Sequence, residues 1–193
     1  MNKFTDNDYW GEVFEDIDMS NIQISSIEFD DCVFKNCVFH TTTFQYCKFS
    51  ECKFDNCDLS LMKVMNSTFN DVSIENSKAI GINWEQTNDP FELHFLSSNI
   101  SMSSFYGKSF KNGKIISCVA HDTDFGKANL EKINFKDTNL QGALFGNTNF
   151  KDADLSKATQ YSINPLENNL NGTEISLNEA TSFLSFFNLK IVD

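Results

Sequence analysis

Residues 29–54 read FDDCVFKNCVFHTTTFQYCKFSECKF, with a phenylalanine at every fifth position. The same spacing of large apolar residues holds from Phe4 to Trp84, and it resumes one residue out of step from Phe95 to Leu155. A period of five fits neither the 3.6-residue turn of an α-helix nor the alternation of a β-strand. It predicts a repeat architecture in which each unit buries one large side chain and its neighbours cover it.

The positions around each large residue are also regular. Two places before it the chain has a small residue, as with Cys32 before Phe34 and Ala128 before Leu130. The other three places are mostly polar. The unit reads small, polar, large apolar, polar, polar, so we expect two side chains of every five to point inwards.

This unit resembles that of the pentapeptide repeat family, whose motif is Ala-(Asp/Asn)-Leu-x-x. The match is carried by Ala128-Asn129-Leu130, Ala153-Asp154-Leu155 and Cys32-Val33-Phe34, and it extends over roughly residues 4–158. The resemblance implies an all-β fold, a right-handed quadrilateral β-helix in which four pentapeptides form one coil and residues twenty apart stack. We therefore expect a pentapeptide repeat β-helix over residues 1–158. Residues 159–193 should form a capping and dimerisation tail with a short C-terminal helix.

The six cysteines all occupy the small position of the repeat. Stacking of residues twenty apart would place Cys32 on Cys52, and Cys37 on Cys57, at a distance that permits disulfides. A reducing cytosol favours thiols instead, and burial as a small apolar side chain accounts for every cysteine. We therefore expect free, buried thiols.

The five-residue spacing is interrupted once, between Trp84 and Phe95. The interruption adds a single net residue to the repeat. We expect a slip of the coils between Trp84 and Phe95, with Phe91 at or near the protrusion.

The composition limits the classes of partner. The net charge is −12, and all 15 basic residues are lysines. Phosphate recognition favours the bidentate fork of arginine, so we expect no nucleic-acid partner. No apolar run is long enough to span a bilayer, and residues 1–8 lack the basic and then apolar order of a signal peptide. These features predict a cytoplasmic protein without a membrane partner.

Several acidic residues recur at the spacing of one coil. Asp31, Glu51 and Asp71 are twenty residues apart, and Glu92 continues the series if the register shift precedes it. Stacked carboxylates about 5 Å apart repel one another, so a sequence selected for stability alone would avoid them. The pattern indicates an acidic binding stripe, whereas the alternative interpretation of the acidic excess is solubility. The candidate partner-binding residues are Glu28, Asp30, Asp31, Glu51, Asp71 and Glu92.

The sequence gives little support to catalysis. Two of the three histidines, His40 and His121, share a face but lie four coils apart, too far to act together. The chain has no metal-ligand spacing and no glycine-rich phosphate loop. We therefore expect a non-enzymatic protein with no cofactor and no metal.

The chain leaves the repeat at Thr159. Residues 163–169 read as a loop, and Ser176 with Glu179 forms a capping box that opens a helix from Leu177 to about Asn188. Residues 189–193 can form a short strand. One helix cannot easily hide so many apolar side chains in a monomer, which favours a two-fold interface. The candidate dimer-interface residues are Phe183, Leu184, Phe186, Phe187, Leu189 and Ile191.

This tail resembles the C-terminus of the Qnr-type and microcin-immunity branch of pentapeptide repeat proteins. The resemblance implies a homodimer of two rods joined end to end. It also implies a DNA mimic that binds DNA gyrase or topoisomerase IV and protects the enzyme from quinolones or peptide toxins. The large surface loops of the plasmid-borne quinolone proteins are absent from this sequence. The alternative hypothesis is a structural or adaptor β-helix that binds another protein and has no topoisomerase role.

Overall fold

The computed structural model describes residues 4–187 and shows a right-handed quadrilateral β-helix of about eight coils, which confirms the expected fold class. Successive coils run in the same direction, so every strand pair is parallel. Phe29 pairs with Phe49, and Phe34 with Phe54, twenty residues on. The fivefold spacing of large residues thus becomes four columns of stacked side chains inside one rod.

We number the four faces of the rod in chain order by the inward residues at their centres. Face 1 has Tyr9, Phe29, Phe49, Phe69, Phe91, Phe110, Leu130 and Phe150. Face 2 has Phe14, Phe34, Phe54, Ile74, Phe95, Ile115, Phe135 and Leu155. Face 3 has Met19, Phe39, Leu59, Ala79, Ile100, Ala120 and Leu140. Face 4 has Ile24, Phe44, Val64, Trp84, Phe105, Phe125 and Phe145.

The strands are short because each side of a coil is only five residues long. They are β1 (Asp8–Trp10), β2 (Val13–Glu15), β3 (Gln23–Ser25), β4 (Glu28–Asp30), β5 (Val33–Lys35), β6 (Thr43–Gln45), β7 (Lys48–Ser50), β8 (Lys53–Asp55), β9 (Lys63–Met65), β10 (Thr68–Glu75), β11 (Phe91–Leu96), β12 (Lys114–Ile116), β13 (Asp154–Leu155) and β14 (Glu174–Ile175).

The strands form sheets that follow the faces. Strands β10 and β11 turn the corner between faces 1 and 2, and they join β1, β4 and β7 on face 1 to β2, β5, β8 and β12 on face 2. Strands β3, β6 and β9 form a three-stranded sheet on face 4. Face 3 is stacked through single bridges such as Asp18 to Val38.

The corners explain the polar positions after each centre. The second residue after a centre adopts a left-handed conformation, with φ between 49° and 60° at the non-glycine corners. Asparagine and aspartate enter this region more readily than other residues that carry a side chain. The corner N–H donates to the next coil, as Asp31 N does to the Ser50 carbonyl oxygen at 3.0 Å. The backbone groups at the corners are therefore paired between coils.

The core consists of ring stacks and small side chains. The rings of Phe34 and Phe54 stack with centroids 4.6 Å apart. At the small position, Thr42 Oγ1 donates to the Met19 carbonyl oxygen at 2.6 Å, and Cys57 Sγ lies 3.3 Å from the Phe34 carbonyl oxygen. All six cysteines are free and buried, as expected.

The register shift lies between Trp84 and Phe95, as the sequence predicts, and Phe91 directly follows the protruding residues, although its own side chain is not exposed. Phe91 is buried and pairs with Phe69 as the next centre of face 1. Its ring is edge-on to the indole of Trp84, with centroids 6.1 Å apart. Asn88, Asp89 and Pro90, directly before Phe91, are exposed. Phe91 is buried because its ring joins the ring stack, and the polar residue Asp89 lies at the exposed part of the interruption instead.

The coils continue into the segment assigned to the tail. Strand β13 pairs with β14, and Asn168 Oδ1 accepts the amide of Thr148 one coil earlier at 2.8 Å. Tyr161 and Ile163 are buried in this last part of the rod. Regular stacking therefore extends beyond residue 158.

The helical segment differs from the expected helix. An α-helix, α1, covers only Leu177–Ala180, and a 3₁₀ helix continues over Thr181–Phe187. The Ser182 and Ser185 hydroxyls each donate to a carbonyl three residues earlier, at 2.7 Å. Such bonds compete with the α-helical pattern, which explains the tighter turn. The strand expected over residues 189–193 lies outside the described residues.

The capping box is only half formed. Ser176 Oγ accepts the Glu179 amide at 3.2 Å, as the motif predicts. Glu179 Oε1 instead accepts the amide of Gln160 at 3.2 Å. The second half of the motif thus ties the helix to the end of the rod. No helix within residues 4–187 has the length and apolar character needed to cross a bilayer.

Candidate functional site

The corner between faces 1 and 2 carries a column of three carboxylates, Asp31, Glu51 and Asp71, which we call the acidic edge. All three side chains are exposed, and all three residues take the left-handed corner conformation, with φ of 51°, 52° and 50°. Glu51 N donates to the Asn70 carbonyl oxygen at 2.8 Å, just as Asp31 N bonds to the coil below it. The three side chains leave the rod from equivalent positions in successive coils, about 4.8 Å apart.

The acidic edge lacks the cations that would neutralise it. Within residues 4–187, no lysine lies within 4.0 Å of the carboxylates of Asp31, Glu51 or Asp71. The basic group beside Asp71 is His94, whose Nε2 lies 3.9 Å from Asp71 Oδ1. Burial, and then the charge of Lys114, lower the pKa of His94. The imidazole is therefore neutral at pH 7 and leaves the acidic edge uncompensated.

Two other predicted acidic residues lie on face 1, beside the acidic edge. Asp30 is exposed and pairs with Trp10 in the coil above and Ser50 in the coil below. Glu28 instead forms an ion pair with Lys48, its neighbour in the next coil. Glu28 therefore contributes little free negative charge, in contrast to Asp30.

Glu92 does not extend the acidic edge as a further corner residue. Val72 pairs with Leu93 although Phe69 pairs with Phe91, so Asn70 and Asp71 face the single residue Glu92. Strand β10 therefore has a corner residue at Asp71, whereas strand β11 has one residue fewer and no corner residue at this place. A groove of about 600 Å³ opens there, lined by Asp89, Pro90, Phe91, Glu92, Leu93, His94, Ser109, Phe110, Lys111, Asn112 and Gly113. Glu92 is exposed at this groove.

Beyond the groove the edge changes its charge. The corner column continues through Asn112, Lys132 and Asp152, each of which donates its amide to the following coil. Lys111 forms an ion pair with Glu131 at 3.4 Å on the neighbouring column. Three consecutive carboxylates thus occur only in the N-terminal half of this edge, and Asp152 stands alone beyond Asn112 and Lys132.

The site presents charge rather than reactive groups. Among the described residues, no three His, Cys, Asp or Glu side chains come together in a metal-binding arrangement. His94 lies on face 2, beside Phe95, whereas His40 and His121 follow centres of face 3. Burial raises the pKa of Cys52 to about 12 and that of Cys118 to about 11. These thiols are therefore protonated at neutral pH.

The predicted interface residues of the tail cover the end of the rod only in part. The Phe183 ring is edge-on to Tyr161, with centroids 6.3 Å apart. Phe186 lines a cavity of about 460 Å³ together with residues of the last coils. Leu184 and Phe187 are exposed. Leu189 and Ile191 lie outside the described residues.

A second surface was missed by the sequence analysis. Six large apolar residues point outwards on face 4 and its two bordering corners, at positions that are elsewhere mostly polar. The signal was present in the sequence, because these residues break the polar pattern of the outward positions. We call this surface the apolar face; its residues are Tyr46, Leu61, Met65, Met102, Tyr106 and Leu144.

Known structures share this architecture at low sequence identity. A trypsin-treated form of QnrB1, a plasmid-mediated fluoroquinolone resistance protein, has a TM-score of 0.69 at 17% identity, over 100% of this chain and 94% of that one. A second trypsin-treated form of QnrB1 has a TM-score of 0.60 at 12% identity, over 96% and 100% of the two chains.

A third solved structure comes from a different biological setting. This structure is HetL, a pentapeptide repeat protein involved in heterocyst differentiation regulation in the cyanobacterium Nostoc sp. strain PCC 7120. It has a TM-score of 0.58 at 12% identity, over 89% of this chain and 88% of that one. At such identities the likeness is one of fold. No curated protein sequence matches the chain.

Two family models match the sequence itself. The model described as a pentapeptide repeat region matches residues 11–87, and the model described as pentapeptide repeats in 8 copies matches residues 121–156. Together these segments make up more than half of the chain. With the stacked coils described above, they establish that the chain belongs to the pentapeptide repeat family.

Proposed function

We propose that this rod mimics duplex DNA, binds DNA gyrase or topoisomerase IV, and protects the enzyme from quinolones or peptide toxins. The observation that carries the proposal is the uncompensated acidic edge of Asp31, Glu51 and Asp71. Like charges stacked in adjacent coils cost stability, and a lysine neutralises Glu28, three positions before the edge on face 1. A binding role explains why the acidic edge lacks the same neutralisation.

The dimensions of the acidic edge support binding to a surface that accepts DNA. Carboxylates about 4.8 Å apart form a charge row not far in spacing from phosphates, which lie about 3.4 Å apart along one strand. A surface built to bind phosphates is basic, so a rigid row of carboxylates complements it. The likeness of the rod to QnrB1 adds support, since that protein confers fluoroquinolone resistance.

We further propose that two rods join through their tails. Leu184 and Phe187 remain exposed at the end of the described chain, and Leu177 is 86% exposed. Each large apolar side chain left in water forgoes roughly 2 kcal/mol of burial, and a two-fold interface would recover it. The two acidic edges would then lie near the outer tips of the dimer. A partner that acts on chromosomal DNA requires the protein to be cytoplasmic.

A binding titration with purified gyrase and topoisomerase IV tests the topoisomerase role. The triple variant Asp31→Asn, Glu51→Gln, Asp71→Asn should bind at least about tenfold more weakly than the parent at low salt. Its affinity should also vary less with salt concentration. The matched control is Asp16→Asn, Asp122→Asn, Asp137→Asn, which removes the same charge from left-handed corners on other edges of the rod. A role for the acidic edge would be contradicted if both triple variants weakened topoisomerase binding equally. It would also be contradicted if neither variant weakened binding.

The second candidate function is an adaptor rod with another protein partner. It is favoured by the confinement of the acidic edge to the N-terminal half, because a DNA-length charge row would continue past Asn112 and Lys132. The likeness to HetL shows that this fold also occurs in a protein involved in differentiation. Failure to bind either topoisomerase would leave the adaptor role as the better account.

A further inference from the structure

The apolar face carries more exposed large apolar residues than any other side of the coils, although Trp10 and Val13 are also exposed near the N-terminal end. Met102 is 65% exposed, Leu144 60% and Tyr46 56%. In one corner column Gly81 lies between Leu61 and Met102, and the outward and corner positions of this face also hold Gly126, Gly142 and Gly146. None of these side chains is needed for the core, whose residues point inwards. Several exposed apolar side chains on one side of a rod favour an interaction site there.

We infer that the apolar face binds a second copy of this chain, with the two rods antiparallel. This contact is separate from the tail and does not depend on a topoisomerase partner. It follows from two columns of this face: when one rod is reversed against the other, Lys63 lies opposite Asp124 in one column, and Met102 lies opposite Gly81 in the other.

The stacking order on face 4 determines which side chains would meet. The column before the centres runs Thr43, Lys63, Asn83, Ser104, Asp124 and Leu144, as the strand pairing and single bridges show. A two-fold axis that passes between the coils of Trp84 and Phe105 reverses this order in the partner. Asn83 then meets Ser104, and Lys63 meets Asp124. Thr43 meets Leu144 at the ends of the contact.

The charges on this column are complementary under that operation. Within residues 4–187, Lys63 has no carboxylate within 4.0 Å. Asp124 is half-buried, and its Oδ1 accepts the Gly126 amide at 2.8 Å, which leaves Oδ2 for another donor. The two-fold operation forms the Lys63–Asp124 pair twice, once on each side of the axis. A parallel arrangement would instead bring equal coils together, with Lys63 near Lys63.

The shapes are complementary as well. A cavity of about 300 Å³ lies on this face, and its lining includes Leu61, Lys63, Gly81 and Asn83. The corner column runs from Leu61 through Gly81 to Met102, because Gly81 N donates to the carbonyl oxygen just before Met102. The two-fold axis places Met102 of one rod opposite Gly81 of the other. A flexible methionine side chain is well suited to fill such a cavity.

The overall charge favours this face over the others for self-association. With a net charge of −12, two copies repel each other wherever their acidic surfaces meet. The acidic edge lies between faces 1 and 2, diagonally opposite the corner between faces 3 and 4. Contact through the apolar face therefore turns both acidic edges outwards and leaves them free.

The contact should be reversible. Six coils, from Tyr46 to Leu144, cover about 24 Å of rod, so the buried area falls below the roughly 1,200–2,000 Å² of a standard stable interface. We therefore expect a monomer–dimer equilibrium that depends on protein concentration, rather than a permanent dimer.

Sedimentation over a range of concentrations tests the inference. All proteins carry Phe187→Asp, so that the tail does not contribute, and no topoisomerase is present. Lys63→Glu and Asp124→Lys should each raise the dimer dissociation constant by about tenfold or more. The double variant should return it to within a few-fold of the parent, because the pair is re-formed with its charges exchanged.

Two controls keep the result specific. Lys136→Glu makes the same charge change on face 2, where Lys136 is exposed, and should leave self-association unaltered. Because Asp124→Lys also loses a bond to Gly126, circular dichroism must show the parental fold for each variant. Absence of concentration-dependent association, or a double variant weaker than either single variant, overturns the inference. Gyrase binding is measured separately, so its failure would leave this result unaffected.

Discussion

Glu51 lies at the same left-handed corner as Asp31, one coil further along the rod, and no lysine of the described chain neutralises either carboxylate. The contrast with Glu28 and Lys48, which pair between the same two coils, shows that this fold can place a cation where it is needed. The repulsion at the acidic edge is therefore a cost in stability that has not been removed.

Neutralising the acidic edge should stabilise the protein. We expect Asp31→Asn, Glu51→Gln, Asp71→Asn to raise the free energy of unfolding by up to about 1 kcal/mol at low salt, because two adjacent like-charge contacts are relieved. The gain should vanish at high salt, which screens exposed charges. Urea unfolding at two salt concentrations measures it. A loss of stability in the triple variant would show that these carboxylates hold the corners together.

The ring stacks should dominate stability. Phe54 is fully buried and stacks on Phe34, so Phe54→Ala should lower the free energy of unfolding by about 3–5 kcal/mol. Tyr46→Ala, at an exposed aromatic position, should change it by well under 1 kcal/mol. Urea unfolding of both variants makes the comparison. Similar losses at the two positions would refute the idea that the inward column carries the stability.

The inward columns could be predicted from the sequence because they repeat. A large residue every fifth place has one arrangement that buries all copies, so the burial of Phe29 or Phe105 follows from spacing alone. Deviations from the repeat could not be read in the same way. Phe91 is buried since ring stacking outweighs the local break in spacing, and Glu28 is neutralised by Lys48, which is visible only once the coils are in register.

The site was predictable to a similar degree. The corner column of Asp31, Glu51 and Asp71 followed from the twenty-residue period, but Glu92 lost its corner because strand β11 is one residue shorter there. The apolar face escaped notice since Met102 and Tyr106 each look like an isolated exposed residue until the stack places them together.

The buried thiols should make stability depend on alkaline pH. Burial raises the pKa of Cys118 from 9.0 to about 11. The thiol is harder to ionise in the folded state than in the unfolded state, so both states keep it protonated below pH 9. As the pH rises from 9 towards 11, ionisation favours the unfolded state and the free energy of unfolding falls. The free energy of unfolding should therefore fall by roughly 2 kcal/mol more in the parent than in Cys118→Ala over this range. Urea unfolding at pH 8 and at about pH 11 tests this, and an identical pH dependence in both proteins would contradict it.

The tail should support self-association of its own. Phe187 is 46% exposed on the last described turn, and Phe187→Asp should convert a stable dimer into the weaker equilibrium expected for the apolar face. Leu166→Asp is the control, since Leu166 is also exposed but lies in the preceding loop. Sedimentation of the parent, Phe187→Asp and Leu166→Asp at equal concentration measures the fraction of dimer in each. Identical behaviour of the parent and Phe187→Asp would remove the tail from the interface.

The proposed function is tested most directly by a DNA supercoiling assay with purified gyrase, in the presence of a quinolone or a peptide toxin. We expect the parent protein to restore supercoiling in the poisoned reaction, and the Asp31→Asn, Glu51→Gln, Asp71→Asn variant to restore much less at the same concentration. The corner control Asp16→Asn, Asp122→Asn, Asp137→Asn should protect like the parent. The DNA-mimic account would be contradicted if the parent protein bound neither gyrase nor topoisomerase IV. It would also be contradicted if the parent protected the enzyme from neither a quinolone nor a peptide toxin.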